Sequence, residues 1–281
     1  MVSLIASLAL AQPAGVFPFA CERFRPGGTK DVVLVKDSRD KGQVLGQGSQ
    51  VSQIPLNGGC AFTVDGSARV VAFDAEGTKL LDHSQLGFLS AGRPVVDPSG
   101  SFLVAEFVSG EGSELWRIPL KGKGPATMLS SINKGDGSAN PSFEMDGRTL
   151  LCKVGSSWVR LDVSTGQTRV LDIRALVQDL PEATEVLEVR PSPLMPDLAA
   201  VTVVIPRASA FRWTMVWDRK TGRVSRLSPE GADCDQVDWS RDGRWILFRA
   251  KDLESGRVTL QAARPTGGDP QVIAVVKEPG S

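Results

Sequence analysis

One short stretch recurs along the chain and constrains its fold more than any other feature. Its clearest copy is residues 237–248, VDWSRDGRWILF, in which an apolar strand leads into an Asp-Gly pair and then into a second strand of bulky apolar residues. An Asp-Gly pair between two such strands is typical of a tight β-hairpin. Weaker copies are PSFEMDGRTLLC at 141–152, AFTVDG at 61–66 and VVDPSG at 95–100. The chain is therefore predicted to consist of repeated hairpins.

The spacing of the copies indicates the kind of repeat. The turn positions are Gly66, Gly100, Gly147 and Gly243, with Asp197 between the last two. They are separated by 34, 47, 50 and 46 residues. A period in the forties with strands inside it is typical of a β-propeller, because each blade is a four-stranded sheet that cannot bury its own faces and must stack in a ring.

A second hairpin follows each of these five copies, and one more, at 31–42, lies before the first of them without a clear Asp-Gly hairpin ahead of it; together they give the number of blades. Each consists of an apolar strand, a glycine turn and a further strand, and they lie at 31–42, 69–77, 115–122, 158–166, 215–222 and 258–267. We therefore predict an all-β fold, a β-propeller with six four-stranded blades, of which the first is abbreviated; five blades is the main alternative. Apolar residues at helical spacing in 172–180 predict one short helix, with Asp172 as its cap.

The first eleven residues, MVSLIASLALA, are apolar and end in the small-x-small pattern of a signal-peptidase site. We predict a signal peptide at 1–11 and a single propeller domain at 12–281. An N-terminal strand from about Gln12 to Phe24 is expected to pair near the last blade and close the ring. The run lacks the basic residues that begin most signals, which leaves the true start of the chain open. The alternative is that the run forms an apolar first strand.

The charge balance limits the classes of partner to expect, and the cysteine spacing limits what can be said about disulfides. Lys plus Arg number 32 and Asp plus Glu also number 32, so no basic surplus indicates a nucleic acid or an anionic membrane as partner. No stretch reaches the roughly 20 apolar residues that cross a bilayer, and we expect a monomer without a membrane span. The cysteines, at positions 21, 60, 152 and 234, lack C-x-x-C spacing. In an exported protein they would allow three complete disulfide pairings, among which the sequence cannot choose.

Few residues could carry catalysis. His83 is the only histidine, so a Ser-His-Asp triad or a histidine zinc site would have to use it. No Gly-x-Ser-x-Gly segment is present. We interpret His83 as a solvated residue beside an outer strand. No cofactor or metal is predicted, and a protein that is not an enzyme is favoured.

Two copies of the repeat resemble a known family. The segments from Pro141 and from Asp238 are similar to the Pro-x-Trp-Ser-Pro-Asp-Gly-Lys-x-Ile-x-Phe repeat of TolB-like β-propellers, and the resemblance extends weakly over residues 56–275. It departs at Asp197, where the turn glycine is missing, and at 95–100, where Pro-Ser replaces the usual order. The resemblance implies a periplasmic or secreted protein that serves as a platform for a protein or peptide.

Two other functions remain open, because a fold does not fix a function. The same repeat forms the non-catalytic propeller of prolyl-oligopeptidase-type peptidases. Propeller lactonases and related hydrolases bind a metal through Glu, Asn and Asp at the mouth of the central channel. Such ligands come from different blades, so their spacing along a sequence neither indicates nor excludes them.

The candidate binding residues come from counting seven residues back from each turn position. This gives Gly59, Arg93, Asn140, Arg190 and Gln236, which lead into the innermost strands. Unlike polar side chains at equivalent positions suit the recognition of an asymmetric ligand at the channel mouth. We predict binding by Arg93, Asn140, Arg190 and Gln236, with the arginines foremost because arginine binds a carboxylate through two parallel hydrogen bonds. The alternative is that all are ordinary solvated loop residues.

Overall fold

A computed structural model describes residues 15–25, 28–37, 40–54, 58–120, 124–133, 139–178, 180–182, 184–206 and 211–277. The predicted signal peptide at 1–11 lies outside the described residues. Within these ranges, no helix is long and apolar enough to cross a membrane. The regular structure is almost entirely β-strand, arranged in six antiparallel sheets that follow one another along the chain.

The six sheets are the blades of a β-propeller, numbered here in chain order. Blade 1 contains β1 (Phe19–Phe24), β2 (Lys30–Val35) and β3 (Gln43–Gln47). Blade 2 contains β4 (Ser49–Gln53), β5 (Cys60–Thr63), β6 (Arg69–Phe73) and β7 (Lys79–Ser84). Blade 3 contains β8 (Ser90–Ala91), β9 (Val95–Val96), β10 (Phe102–Val108), β11 (Gly112–Pro119) and β12 (Thr127–Asn133), with β8 and β9 as two parts of one inner strand.

The remaining three blades have four strands each. Blade 4 contains β13 (Ser142–Phe143), β14 (Thr149–Val154), β15 (Ser157–Asp162) and β16 (Thr168–Val170). Blade 5 contains β17 (Glu185–Pro191), β18 (Leu198–Ile205), β19 (Phe211–Asp218) and β20 (Val224–Arg226). Blade 6 contains β21 (Ala232–Trp239), β22 (Ile246–Asp252), β23 (Val258–Ala263) and β24 (Gln271–Lys277). The six-bladed propeller predicted from the repeats is confirmed, and blade 1, with three described strands, is the abbreviated one.

The hydrophobic core lies between blades and not within any one of them. The buried apolar residues form six clusters, and each cluster combines side chains of two neighbouring blades. The cluster between blades 4 and 5, for example, contains Leu151 and Trp158 from one blade and Val201 and Met215 from the next. Because each sheet is covered on both faces, its strands need not alternate strictly between apolar and polar residues.

The Asp-Gly turns form as predicted in blades 4 and 6, but one copy belongs to a different turn. The amides of Gly147 and Gly243 donate to the carbonyl three residues earlier, and both glycines have positive φ. In blade 2, however, Asp65 and Gly66 join β5 to β6, whereas the turn between β4 and β5 ends at Gly58. The dipeptide suits any tight hairpin, so it does not by itself identify which pair of strands it joins.

The ring closes by side-chain packing. β1 pairs with β2 in its own blade, and no residue of β1 pairs with a strand of blade 6. Instead Val16 and Phe19 are buried against Trp245, Leu247 and Ile273 of blade 6. The last blade already has four strands from the C-terminal part of the chain, so the expected pairing of the 12–24 strand has no place in its sheet; residues 12–14 lie outside the description.

The short helix predicted in the 172–180 segment is present but brief. It is α1 (Arg174–Val177), it begins after Ile173, and no side chain caps it. Leu176 is buried in the cluster between blades 4 and 5. The N-cap position is therefore Ile173, one residue after the expected Asp172, and packing of the apolar face stabilises the helix.

All four cysteines are free thiols. Cys60, Cys152 and Cys234 are buried and Cys21 is half-buried. Burial raises the pKa of each thiol to about 12. They act as small apolar residues of the inter-blade clusters, in which Cys21, Cys60, Cys152 and Cys234 all take part.

Candidate recognition site in the central channel

Five inner strands surround the channel axis in the described part of the chain. β4, β9, β13, β17 and β21 contact one another in that order, and β21 also contacts β4. The first strand of blade 1 lies against β4 and β24. Blade 1 therefore lies between blades 6 and 2, and the inner strands of the other five blades surround the axis.

The inner strands β4 and β21 each contain a register shift, and both shifts lie at the same height along the channel. In β4 the register slips between Ser49 and Ser52, and in β21 it slips between Asp235 and Asp238. Such β-bulges bend a strand and re-aim the side chains at the bulge. The non-glycine residues with positive φ in the described chain all lie at this level: Gln50, Asn140 and Gln236.

Strand pairing at the bulges assigns the axis positions to two rings. The first ring contains Gln50, Arg93, Asn140, Glu188 and Gln236. The second ring, two residues further along each strand, contains Ser52, Val95, Ser142, Arg190 and Asp238.

Three of the four predicted residues thus share the first ring, and the exception has a simple cause. In blade 5 the backbone pair that closes the inner turn joins Ser192 to Leu198, whereas in blade 6 it joins Ser240 to Trp245. The blade 5 turn is one residue longer, and Asp197 lies one residue nearer the end of its turn than Gly243 does. Counting back from Asp197 therefore reaches the second ring, two residues beyond Glu188. Gly59, counted from the wrong turn of blade 2, lies in neither ring.

Arg93 closes the channel at the level of the first ring. Its Nε donates to Ser52 Oγ at 2.9 Å, and its Nη1 donates to the Val237 carbonyl at 3.1 Å and to Glu188 Oε1 at 3.3 Å. Its Nη2 donates to Asp238 Oδ2 at 2.8 Å. The side chain is 5% exposed. Arg93 thereby joins blade 3 to blades 2, 5 and 6 across the axis.

Two of the three amide side chains in the first ring also bridge blades. Asn140 Nδ2 donates to the Leu187 carbonyl of blade 5 at 2.9 Å. Gln236 Nε2 donates to Glu22 Oε1 of blade 1 at 2.6 Å. Both side chains therefore hold neighbouring blades together in this structure.

Glu22 is the polar link between blade 1 and the ring. Its side chain is 1% exposed. Besides the hydrogen bond from Gln236, it accepts one from the backbone N–H of Gln50 at 2.8 Å and one from Arg249 Nη1 at 3.0 Å. Lys30 Nζ lies 2.9 Å from it. A buried carboxylate is tolerated only when it is paired in this way.

Arg190 lies in the second ring, and two nitrogens of its guanidinium group have no hydrogen-bond partner. Its Nη1 donates to the Pro141 carbonyl. Its Nη2 lies 3.6 Å from Glu188 Oε1, beyond hydrogen-bond distance, and neither Nη2 nor Nε has a hydrogen-bond partner. The side chain is 4% exposed. Burial, together with the charge of Arg93, lowers the pKa of Arg190 to about 10, so the group is still cationic at neutral pH.

A small cavity lies beside Arg190 at the end of the channel where the inner hairpins turn. Its volume is about 50 Å³. Its walls are largely apolar and come from blades 2 to 6, including Val95, Phe143, Pro193 and Trp239, with Met145 at its rim. We call this end of the channel the hairpin mouth.

Comparison with known proteins gives matches in shape but not in sequence. No protein-family model and no curated protein sequence matches the chain. TolB from Acinetobacter baumannii superposes with a TM-score of 0.58 at 15% identity, over 93% of this chain and 69% of its own. A protein assigned as TolB in Agrobacterium tumefaciens gives a TM-score of 0.58 at 14% identity, over 84% of each chain. The chain is a TolB-like β-propeller in its fold.

Other structures share the fold of this TolB-like propeller. A puromycin hydrolase superposes with a TM-score of 0.52 at 15% identity, over 96% of this chain and 47% of its own. Hydrazine synthase from Kuenenia stuttgartiensis gives a TM-score of 0.52 at 16% identity, over 92% of this chain and 79% of its own. At these identities the likeness extends to the fold alone.

Sequence reasoning missed the acidic half of the channel network in the TolB-like propeller. Glu188 and Asp238 accept hydrogen bonds from Arg93, and Ser52 accepts a third. Two of these residues lie two positions beyond a first-ring residue, which is the spacing of side chains on one face of a strand. That periodicity was the available signal, but it becomes usable only when the register of each inner strand is known.

The residues considered for catalysis lie elsewhere. His83 is on β7, the outermost strand of blade 2, and its Nε2 lies 3.0 Å from Gln85 Oε1. In the described part of the chain, no three His, Cys, Asp or Glu side chains are grouped so that they could hold a metal ion.

Proposed function

We propose that this TolB-like propeller is a non-enzymatic binding platform that engages a protein or peptide partner at the hairpin mouth. The observation that carries the proposal is the composition of that mouth, where apolar walls from several blades surround a buried arginine with two guanidinium nitrogens that have no hydrogen-bond partner. Apolar contact area with a few convergent polar groups is what recognition sites combine. We further propose that the protein acts as a monomer.

The internal contacts of the axis favour binding over hydrolysis. Arg93, Asn140 and Gln236 each bond to another blade, and the carboxylates of Glu188 and Asp238 are held by Arg93 and by backbone amides. A catalytic acid or base must be able to reach a substrate. A lactonase-like hydrolase and a peptidase-type propeller remain the alternatives, and a metal bound at the axis with hydrolytic activity would support the first.

A rim substitution tests the platform. Met145 is 47% exposed in a turn at the hairpin mouth, so Met145→Asp is expected to reduce partner capture from the native host at least tenfold, because a charge would replace apolar contact area. The matched control is Leu86→Asp, since Leu86 is 90% exposed in the turn between blades 2 and 3. Quantitative pull-down with both variants measures the effect. Equal capture by Met145→Asp and wild type would show that the partner binds elsewhere.

We also propose that the protein is exported, as a periplasmic or secreted protein. The support is the apolar run at 1–11 with its Ala9-Leu10-Ala11 ending. Mass spectrometry of protein made in its own host is expected to find a mature chain that begins at Gln12 outside the cytoplasm. An intact Met1 in a cytosolic fraction would refute export by this signal.

A further inference from the structure

Arg190, which lines the cavity at the hairpin mouth, has a carboxylate-binding edge without hydrogen-bond partners. The two guanidinium nitrogens without hydrogen-bond partners are Nε and Nη2, which lie on the same side of the planar group. Together they form the edge that donates two parallel hydrogen bonds to the two oxygens of one carboxylate. Leaving such donors buried and unpaired is costly, so this edge is suited to a ligand.

The same edge is occupied in three other arginines of the described chain. Each of them donates from Nε and Nη2 to the two oxygens of one aspartate, at distances between 2.6 and 3.0 Å. The pairs are Arg69 with Asp82, Arg212 with Asp233, and Arg249 with Asp235. Arg190 differs from them in being almost fully buried and in having no carboxylate within hydrogen-bond distance of this edge, since the nearest, Glu188 Oε1, lies 3.6 Å from Nη2.

The nearest carboxylates of the protein cannot fill this place. Asp238 Oδ2 accepts from Arg93 and from the Gln53 amide, and its Oδ1 accepts from the Trp239 amide. Glu188 Oε1 accepts from Arg93, while its Oε2 accepts from Thr202 and from the Val237 amide. Both groups are therefore fixed by other donors.

The cavity limits what can reach Arg190. A volume of about 50 Å³ is far below the roughly 300 Å³ or more of pockets that enclose a whole ligand, so the cavity suits one functional group of a ligand. The walls, which include Val95, Phe143 and Trp239, offer apolar contact to the carbon atoms behind such a group. A ligand would therefore insert a charged tip on an apolar stem and leave its remaining part at the mouth.

We propose that Arg190 binds a carboxylate at the tip of an extended peptide segment that enters the hairpin mouth. This inference rests on the proposed platform function and names the chemistry of its partner. A peptide can supply the group from its C-terminus or from an acidic side chain. Each guanidinium nitrogen of Arg93 already donates to a group within the protein. Arg93 therefore does not contact the ligand.

The first test uses wild-type protein and small probes. Propionate is expected to bind at least tenfold more tightly than propionamide, which has similar size but no charge, as measured by calorimetry and by the shift of the Arg190 Nε signal in arginine-labelled protein. Inorganic phosphate serves as a competing anion. Equal binding of propionate and propionamide, or phosphate binding as tight as that of propionate, would overturn the assignment.

Substitution of arginine by lysine tests the role of the two-donor edge of Arg190 directly. Arg190→Lys keeps a cation but removes the two-donor edge, and it is expected to weaken propionate binding at least tenfold. The matched control is Arg69→Lys, which alters the same kind of edge far from the channel and should leave binding unchanged. If Arg190→Lys does not fold, the propionate and propionamide comparison in wild type still decides the proposal. Unchanged binding in a folded Arg190→Lys variant would refute it.

Peptide probes identify the source of the carboxylate and separate this inference from the platform function. Three N-acetylated hexapeptides of one neutral sequence carry a free C-terminus, an amidated C-terminus with one Glu, or an amidated C-terminus without acid. Binding of either acidic peptide at least tenfold above the neutral one supports the proposal and names the source, and equal binding of all three refutes it. Partner capture that is lost in Met145→Asp but kept in Arg190→Lys would leave the platform standing without the carboxylate.

Discussion

Arg93→Met is expected to lower the free energy of unfolding by about 3–5 kcal/mol, the usual cost of removing one partner from a buried ion pair. The variant would leave Glu188 and Asp238, which are 14% and 13% exposed, without the guanidinium that neutralises them. It would also remove the hydrogen bond to Ser52 of blade 2. Urea unfolding followed by tryptophan fluorescence measures the change.

Two comparisons isolate the cause of this loss. Arg69→Met removes an exposed pair with Asp82, whose partners are 42% and 32% exposed, and should cost about 1 kcal/mol or less. Combining Arg93→Met with Glu188→Gln and Asp238→Asn should recover at least half of the loss, because the uncompensated charges are gone. A cost for Arg93→Met as small as that for Arg69→Met would contradict the role of Arg93 as the closure of the channel.

The expected loss of stability in Arg93 variants determines which positions can be used to test binding. A variant at Arg93 would lose partner binding through loss of structure even if Arg93 never contacts a ligand. The rim residue Met145 and the edge of Arg190 are therefore the informative positions, whereas Arg93 reports on stability.

Phe19→Ala is expected to lower the free energy of unfolding by about 3–5 kcal/mol, as for other buried phenylalanines. Phe19 is 1% exposed and packs with Trp245 and Leu247 at the interface between the first and last blades. Because no backbone pairing joins β1 to blade 6 in the described chain, side-chain packing and the hydrogen bonds of Glu22 to Gln236 and Arg249 must supply the stability of that interface.

The matched control is Phe107→Ala, at the interface between blades 2 and 3, where Phe107 is 0% exposed. The two costs, measured by urea unfolding, should agree within about 1 kcal/mol if the closing interface is equivalent to an internal one. A negligible cost for Phe19→Ala beside a full cost for Phe107→Ala would mean that the ring is effectively open between blades 6 and 1.

The fold was largely predictable because its signals are local. A glycine such as Gly243, with φ of 64°, is required wherever a tight hairpin needs a left-handed backbone. The repeated spacing of such turns then gives the number of blades. The shortness of α1 was less predictable, since its length depends on packing of Leu176 and neighbouring apolar residues against blades 4 and 5.

The site was predictable in its residues but not in its geometry. Counting along the sequence found Arg93, Asn140 and Gln236 because each precedes a turn of equal length. It reached Arg190 in place of Glu188 because the blade 5 turn is one residue longer and Asp197 lies one residue nearer the end of its turn than the turn glycines do in the other blades. The local sequence does not distinguish Arg93 from Arg190. Each guanidinium nitrogen of Arg93 donates to a group within the protein, whereas Nε and Nη2 of Arg190 have no hydrogen-bond partner. That difference arises only when five strands far apart in sequence converge on one axis.

The sharing of every hydrophobic cluster between two blades has a consequence for cooperativity. In a linear array of repeats the terminal units need polar caps, because one face of each has no neighbour. A closed ring has no terminal unit, and each of the six clusters here covers two sheet faces at once. Opening any one interface would turn the ring into an array with two uncapped apolar faces, so the blades should melt together and not one by one.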